Sequence, residues 1–200
     1  MALLLVAAVM FLPLLAFADQ VPHAAVRYQR DLTRNARLAW GINAPVPVFA
    51  AQIQQESRWR SDAVSVVGAK GMAQFMPKTA NWIGQAYKLG DAQPTNPVWA
   101  LRALTLYDKW LWDRIQADDE CSHMAMALSA YNGGLGWVYR DQKVAREGGG
   151  DEGRWFGQVE RFNAGRVAAS YAENRGYPRY ILIRWQPVYA AWGNVIDCGE

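Results

Sequence analysis

The sequence predicts a mainly α-helical single domain, on three observations. Apolar residues recur three and four positions apart in segments punctuated by proline and glycine, the spacing of helix faces. No run of alternating apolar and polar residues marks a sheet, and no repeat or low-complexity tract occurs. At 200 residues the chain is long enough for one proper core and short for two.

The first eighteen residues, MALLLVAAVMFLPLLAFA, carry no charged side chain and end in Ala16-Phe17-Ala18, the small-x-small pattern that precedes cleavage of export signals. As a helix, residues 2–18 would reach roughly 25 Å, less than the ~30 Å hydrocarbon core, and Pro13 would kink them. Residues 1–18 therefore read as a signal peptide. Because no Lys or Arg precedes the apolar run, a releasable N-terminal anchor is the other reading. Both place the protein in the periplasm or cell envelope, the second with transient attachment to the inner membrane.

Residues 19–47 read as an N-terminal extension with a helix of mixed apolar and basic residues. Ala44-Pro45-Val46-Pro47 breaks the chain, and a helix starts at Pro47, where a missing N–H costs nothing. This helix carries FAAQIQQESRWR, residues 49–60. A small, polar loop follows, with Asp62 as a turn or capping residue. Two glycines and Pro77 then bring backbone into close approach before the next helix. Asn96-Pro97 is a capping residue followed by proline at the first helical position. Along that helix Trp99, Ala103, Leu106, Trp110 and Arg114 share one stripe, with Leu104, Tyr107 and Leu111 beside it and Arg102, Asp108 and Lys109 off it. A further apolar helix over 121–131 ends at Asn132-Gly133-Gly134. Residues 143–166 are charged and glycine-rich, and read as a surface excursion or lid. Helix returns over 167–192, broken near Gly176, Pro178 and Pro187.

Charge is nearly balanced, 21 Lys+Arg against 18 Asp+Glu, with no long basic run, which argues against a nucleic-acid partner. His23 and His123 are the only histidines and no C-x-x-C occurs, so neither a metal nor a cofactor is expected. Cys121 and Cys198 are the only cysteines. In an exported chain they read as a structural disulfide, worth on the order of 4 kcal/mol in the chain-entropy picture.

Counting back from Glu56 by three and then four residues gives Ile53 and Phe49, so this carboxylate continues an apolar stripe. A carboxyl desolvated there should have a raised pKa, the requirement for a general acid at neutral pH. From this helix alone, a charge at the edge of a buried face, paired with Arg58 or Arg60, is the better explanation.

Three further motifs tip the balance. Glu56-Ser57, GAKGMAQFMPKTA at 68–80, ALSAYNGG at 127–134 and ENRGYPRYI at 173–181 stand in order. Together they resemble the lytic transglycosylase family, in particular its soluble lytic transglycosylase catalytic domain, over residues 48–192. The resemblance implies a lysozyme-like fold over 48–200 and cleavage of the β-1,4 bond between N-acetylmuramic acid and N-acetylglucosamine in peptidoglycan. The expected product is a 1,6-anhydromuramic end. It makes Glu56 the single catalytic acid and base, with the substrate's own acetamido oxygen in place of the second carboxylate that ordinary glycosidases need.

The same resemblance assigns substrate-binding roles. Ser57 would orient the carboxyl or a sugar substituent, and Gln74 would read an acetamido group. Met72 and Phe75 would form an apolar wall, although Gly-Met-Ala-Gln replaces the usual Gly-Leu-Met-Gln. Tyr131 and Asn132 belong to the A-Y-N motif. Tyr177 would stand near Glu56, with Asn174 in place of Thr and Pro178 in place of a small aliphatic residue. Glu173 and Arg175 are expected to form a structural ion pair or network. Among the tryptophans, Trp99 and Trp110 are core candidates, and Trp59 and Trp82 are candidates for the cleft. The implied partner is the peptidoglycan glycan strand, met by a monomer that serves wall remodelling, a secretion or conjugation apparatus, or phage lysis. The alternatives are a lysozyme-type hydrolase on the same fold and a non-catalytic glycan-binding envelope-assembly protein.

Overall fold

The computed structural model describes residues 20–199. The predicted signal or anchor at 1–18 lies outside them. Local sequence sets most helix starts. Helix α1 (His23–Val26) is a single turn that leads into α2 (Gln29–Trp40). Helix α3 (Val46–Ser57) begins one residue before the expected Pro47, which occupies the first turn. Pro77 opens α4 (Pro77–Ala86), and Pro97 opens α5 (Pro97–Trp112), capped by the Asn96 side chain accepting from the Val98 N–H at 3.0 Å. Asp119 caps α6 (Glu120–Gly133) through the Ser122 N–H at 2.7 Å, and Gly134, at φ 99°, separates it from α7 (Leu135–Glu147). Helix α8 (Ala168–Arg179) continues through a π-helical stretch, Tyr180–Trp185, into a 3₁₀ stretch, Gln186–Trp192. Among the described residues there is no strand, only bridges from Lys70 to Val64 and Phe75 in the loop between α3 and α4. None of the described helices is long and apolar enough to cross a membrane.

The apolar faces meet in one core. Val48, Phe49 and Ile53 of α3 join Leu101, Leu104 and Leu111 of α5, Met124, Ala127 and Leu128 of α6, and Ile181 and Leu182 of the π-helical stretch. Ala25, Leu32 and Ala36 belong to the same core, and α2 forms a layer packed against α3 and α5. The Trp40 indole N–H fixes that layer by donating to the Thr105 carbonyl at 2.8 Å. Cys121 and Cys198 are joined in a disulfide that ties the chain's end to α6.

Segment 143–166 is not a lid. It starts within α7, and Trp155 and Val159 are fully buried. Gly148 and Gly150 leave space that Phe162 fills, since a Cβ on either would meet its ring at 2.6 Å or less. Beneath this segment lies Asp141, wholly buried, ion-paired to Arg166 at 3.1 Å and Arg175 at 2.8 Å. The expected Glu173–Arg175 pair is therefore replaced. Arg175 reaches Asp141 of α7, whereas Glu173 is exposed and accepts from the Asn132 amide at 3.2 Å.

Candidate active site

The last turn of α3 delivers Glu56 to the floor of a groove of about 240 Å³. Gln74, Phe75 and Met76 from the loop before α4, Tyr107 of α5, Tyr131 and Asn132 of α6 and Glu173 of α8 line it. Two successive non-glycine residues in the left-handed region, Arg58 (φ 53°) and Trp59 (φ 67°), then turn the chain sharply back. That turn swings Trp59 into the core, where its indole N–H donates to the Tyr189 hydroxyl at 2.8 Å and its ring stacks near Tyr28. Trp59 is thus core, not cleft. Trp82 is more than a third exposed and packs edge-on against Tyr107 and Trp110, flanking the groove's aromatic wall. Trp99 is buried and meets Phe75 edge to face, while Trp110 is half-buried.

The loop after α3 is held by backbone proximity. Gly71 has φ 78°, and a Cβ there would lie 1.7 Å from the Pro94 carbonyl oxygen, so only glycine fits. Ser57 is buried, and its hydroxyl donates to the Met72 carbonyl at 2.9 Å. It pins the loop to the helix end and does not face the groove. Met72 is fully buried as well, and only Phe75 of the expected apolar wall lines the groove. Gln74 adopts φ 48°, and its amide donates to Gly71 O at 2.8 Å and Ala63 O at 3.3 Å. Its carbonyl end is thereby set beside the groove with a fixed loop behind it.

Tyr131 and Tyr177 close on the carboxyl from α6 and α8. The Tyr131 hydroxyl donates to Ala73 O at 2.7 Å, and the Tyr177 hydroxyl donates to Glu56 Oε1. Asn132 bridges both ends of its amide, donating to Glu173 Oε1 at 3.2 Å and accepting from Asn174 Nδ2 at 3.0 Å. Asn174, at the position where the motif usually has Thr, is a buried hub whose Oδ1 accepts from Ser129, Arg166 and Arg175. The Asp141 network thus positions the strip of α8 that bears Glu173 and Tyr177.

Sequence reading missed several groove residues, Tyr107 and Glu173 among them. Tyr107 was legible as a flank of the α5 stripe but not as groove lining, and Glu173 was assigned to an ion pair. It also missed Asp108, placed off the stripe but only 1% exposed. The signal was present: Leu101, Leu104, Asp108 and Leu111 fall at helical spacing on one face.

Burial pushes the Glu56 carboxyl up to about 8. The Tyr177 hydroxyl bond works against that rise, and the Glu173 charge adds to it. Glu56 therefore keeps its proton at neutral pH and lines the groove. A wider hollow of about 1020 Å³ along α7 does not include Glu56. The histidine in it, His123, is stacked on Trp112 with Nε2 bonded to the Trp112 carbonyl at 2.8 Å.

The family profile of the transglycosylase SLT domain matches residues 34–153. The chain belongs to this family. Its match begins inside α2, in agreement with the integral packing of that helix, and stops before Tyr177. Membrane-bound lytic murein transglycosylase F of Marinobacter nauticus is 31% identical over 143 residues, covering 70% of this chain and 26% of that protein. The protein of the same name from Maricaulis maris is 30% identical over 159 residues, covering 76% of this chain and 34% of that one. Membrane-bound lytic murein transglycosylase F 1 of Alkalilimnicola ehrlichii is 31% identical over 174 residues, covering 86% and 32%. The chain thus spans about a quarter to a third of the length of these relatives. Among solved structures, the 70 kDa soluble lytic transglycosylase of Escherichia coli superposes with a TM-score of 0.58 at 22% identity, over 82% of this chain and 24% of that one. That likeness extends past the profile match and bears out the mainly α, lysozyme-like fold.

Proposed function

We propose that this transglycosylase SLT domain protein cleaves the β-1,4 bond between N-acetylmuramic acid and N-acetylglucosamine in peptidoglycan without water, leaving 1,6-anhydromuramic ends. The observation that carries the reading is a largely desolvated Glu56 carboxyl lining an aromatic-walled groove, with the Tyr177 hydroxyl donating to its Oε1. Glu56 gives its proton to the glycosidic oxygen as the C1–O bond breaks. The resulting carboxylate, stabilised by the Tyr177 hydroxyl, takes the proton of the muramyl C6 hydroxyl while that oxygen bonds to C1. One carboxyl serves both steps and returns to its starting state. The aromatic rings suit the apolar faces of sugars, and Gln74 and Asn132 offer amides to acetamido and hydroxyl groups.

Glu173 is the feature that favours a second reading, a lysozyme-type hydrolase, because a second groove carboxylate can activate water. Mass analysis of the earliest products from isolated sacculi separates the two. The proposed reaction gives muramic ends lighter by one water from the first time point; ends that hold the water at that time sink it. The setting we infer is the cell envelope, after export or while anchored by residues 1–18, with the glycan strand as substrate and a monomer as the working form.

Two substitutions should move the alkaline limb of activity in opposite directions. Tyr177→Phe removes the donor that favours ionised Glu56, so the limb moves to higher pH by roughly half a unit to one unit. Glu173→Gln removes a neighbouring negative charge, so the limb moves to lower pH by roughly half a unit. Activity against pH on solubilised glycan strands reads both, and shifts of the same sign would contradict the arrangement.

A further inference from the structure

One turn below Glu56 on the same face of α3 stands Gln52, wholly buried, and facing it from α5 is Asp108, also buried. Gln52 Nε2 donates to Asp108 Oδ1 at 3.4 Å. That is the one hydrogen bond the Asp108 carboxyl receives among the described residues, and no ion pair to it occurs among them. Two acceptor atoms of this pair, Gln52 Oε1 and Asp108 Oδ2, are buried with no partner. Orphaned acceptors in a core each cost free energy, and an ionised carboxylate there costs far more. A single proton on Asp108 Oδ2 removes both defects, because it can be donated to Gln52 Oε1. The two side chains then form the reciprocal ring of a carboxylic acid and a primary amide.

We propose that Asp108 is a positioning residue for Glu56: it carries a proton in the folded protein and pairs reciprocally with Gln52, which holds the face of α3 on which the acid stands. The proposal rests on the reading of Glu56 as the catalytic acid and base. The groups around Asp108 agree with a neutral form. From α3 it faces Glu56, from α6 Tyr131, from α8 Tyr177, and Tyr107 precedes it in α5. None of these supplies positive charge. The neighbouring helix α2 turns Leu32 and Ala36 inward and Arg30, Arg34 and Arg37 to solvent. Burial pushes the Asp108 carboxyl well above the usual range; the Gln52 hydrogen bond works against that rise, and Glu56 adds to it when ionised. A neutral Asp108 lets Glu56 cycle between acid and base without a second anion beneath it.

The test uses the full chain with Asp108→Asn and Asp108→Ala. Asparagine reproduces the hydrogen bonds of the protonated acid, since its amide donates to Gln52 Oε1 and accepts from Gln52 Nε2. In a Glu56→Gln background, the infrared band of an un-ionised carboxylic acid should be present at neutral pH and vanish with Asp108→Asn. With Glu56 intact, Asp108→Asn should keep kcat within ~2-fold and leave the alkaline limb in place, whereas Asp108→Ala should lower kcat ~10-fold or more at little changed KM. Absence of the band overturns the proposal. So does an alkaline limb displaced downward by roughly one unit in Asp108→Asn, because an ionised Asp108 would have been raising Glu56. A lower melting temperature without loss of kcat in Asp108→Ala assigns the residue to stability alone. If Asp108→Ala does not fold, the band and the Asp108→Asn limb decide. The band is read without turnover, so it fails or stands separately from the role of Glu56.

Discussion

Glu56→Gln will abolish nearly all turnover, ~100- to 10,000-fold, while glycan binding survives. Glutamine keeps the shape of the side chain and can still accept the Tyr177 hydroxyl bond, but it has no transferable proton and cannot take one from a sugar hydroxyl. Clearing of isolated sacculi together with retention on insoluble peptidoglycan measures both quantities. A Gln variant that cleared walls as fast as the parent would remove Glu56 from the mechanism.

The same variant should be the more stable protein at neutral pH. The folded state holds the Glu56 proton up to about 8, against 4.5 for the ordinary carboxyl, so between those values it binds more protons than the unfolded chain. Stability contributed by this group is therefore lost as pH rises from the ordinary value, and by pH 7 the loss is on the order of 2–3 kcal/mol, with allowance for its partial exposure. Thermal melts should show Glu56→Gln above the parent near pH 7 and the two converging near pH 4. A gap that widened on acidification would reverse the sign and contradict a raised carboxyl.

Asp141→Ala should destabilise the fold by about 3–5 kcal/mol, the range for breaking a buried charge network from one side. It leaves Arg166 and Arg175, with side chains 4% and 10% exposed, without their common anion. The backbone N–H of Ala164 also loses its acceptor, Asp141 Oδ1, at 3.0 Å. Urea titration measures the change, read as a lower midpoint at similar slope. Because Arg166 and Arg175 also hold Asn174, and Asn174 holds Asn132, the variant should bind glycan less tightly below its melting point. Loss of stability with unaltered glycan affinity would show that the network carries no influence into the groove.

Much of the fold was legible because its signals are local. Pro47, Pro77 and Pro97 open helices since their rings fix φ and remove a donor that a first turn does not use. Asn96 caps α5 and Gly134 ends α6 for equally local reasons. The order of four short motifs placed Glu56, Gln74, Tyr131, Asn132 and Tyr177 in one neighbourhood; in the structure the first four line one groove and the buried Tyr177 donates its hydroxyl to Glu56. What failed depended on direction. Trp59 went into the core because two left-handed residues reversed the chain after α3, and no pattern of apolar residues announces such a turn. Ser57 and Met72 went inward with the same loop. Segment 143–166 looked solvated by composition, yet Trp155, Val159 and a shared aspartate anchor it.

The sequence by itself determined the helices, their breaks and the place of Glu56 on an apolar stripe, because spacing along a helix fixes which residues share a face. The tertiary structure alone decided which face each charged residue joins: Arg175 turned to Asp141, Glu173 to the groove, and Asp108 to Gln52 beneath Glu56. The physical reason is that a charge settles with whatever compensates the loss of water, and its compensating partner lies in another helix, distant in sequence and set beside it only by packing.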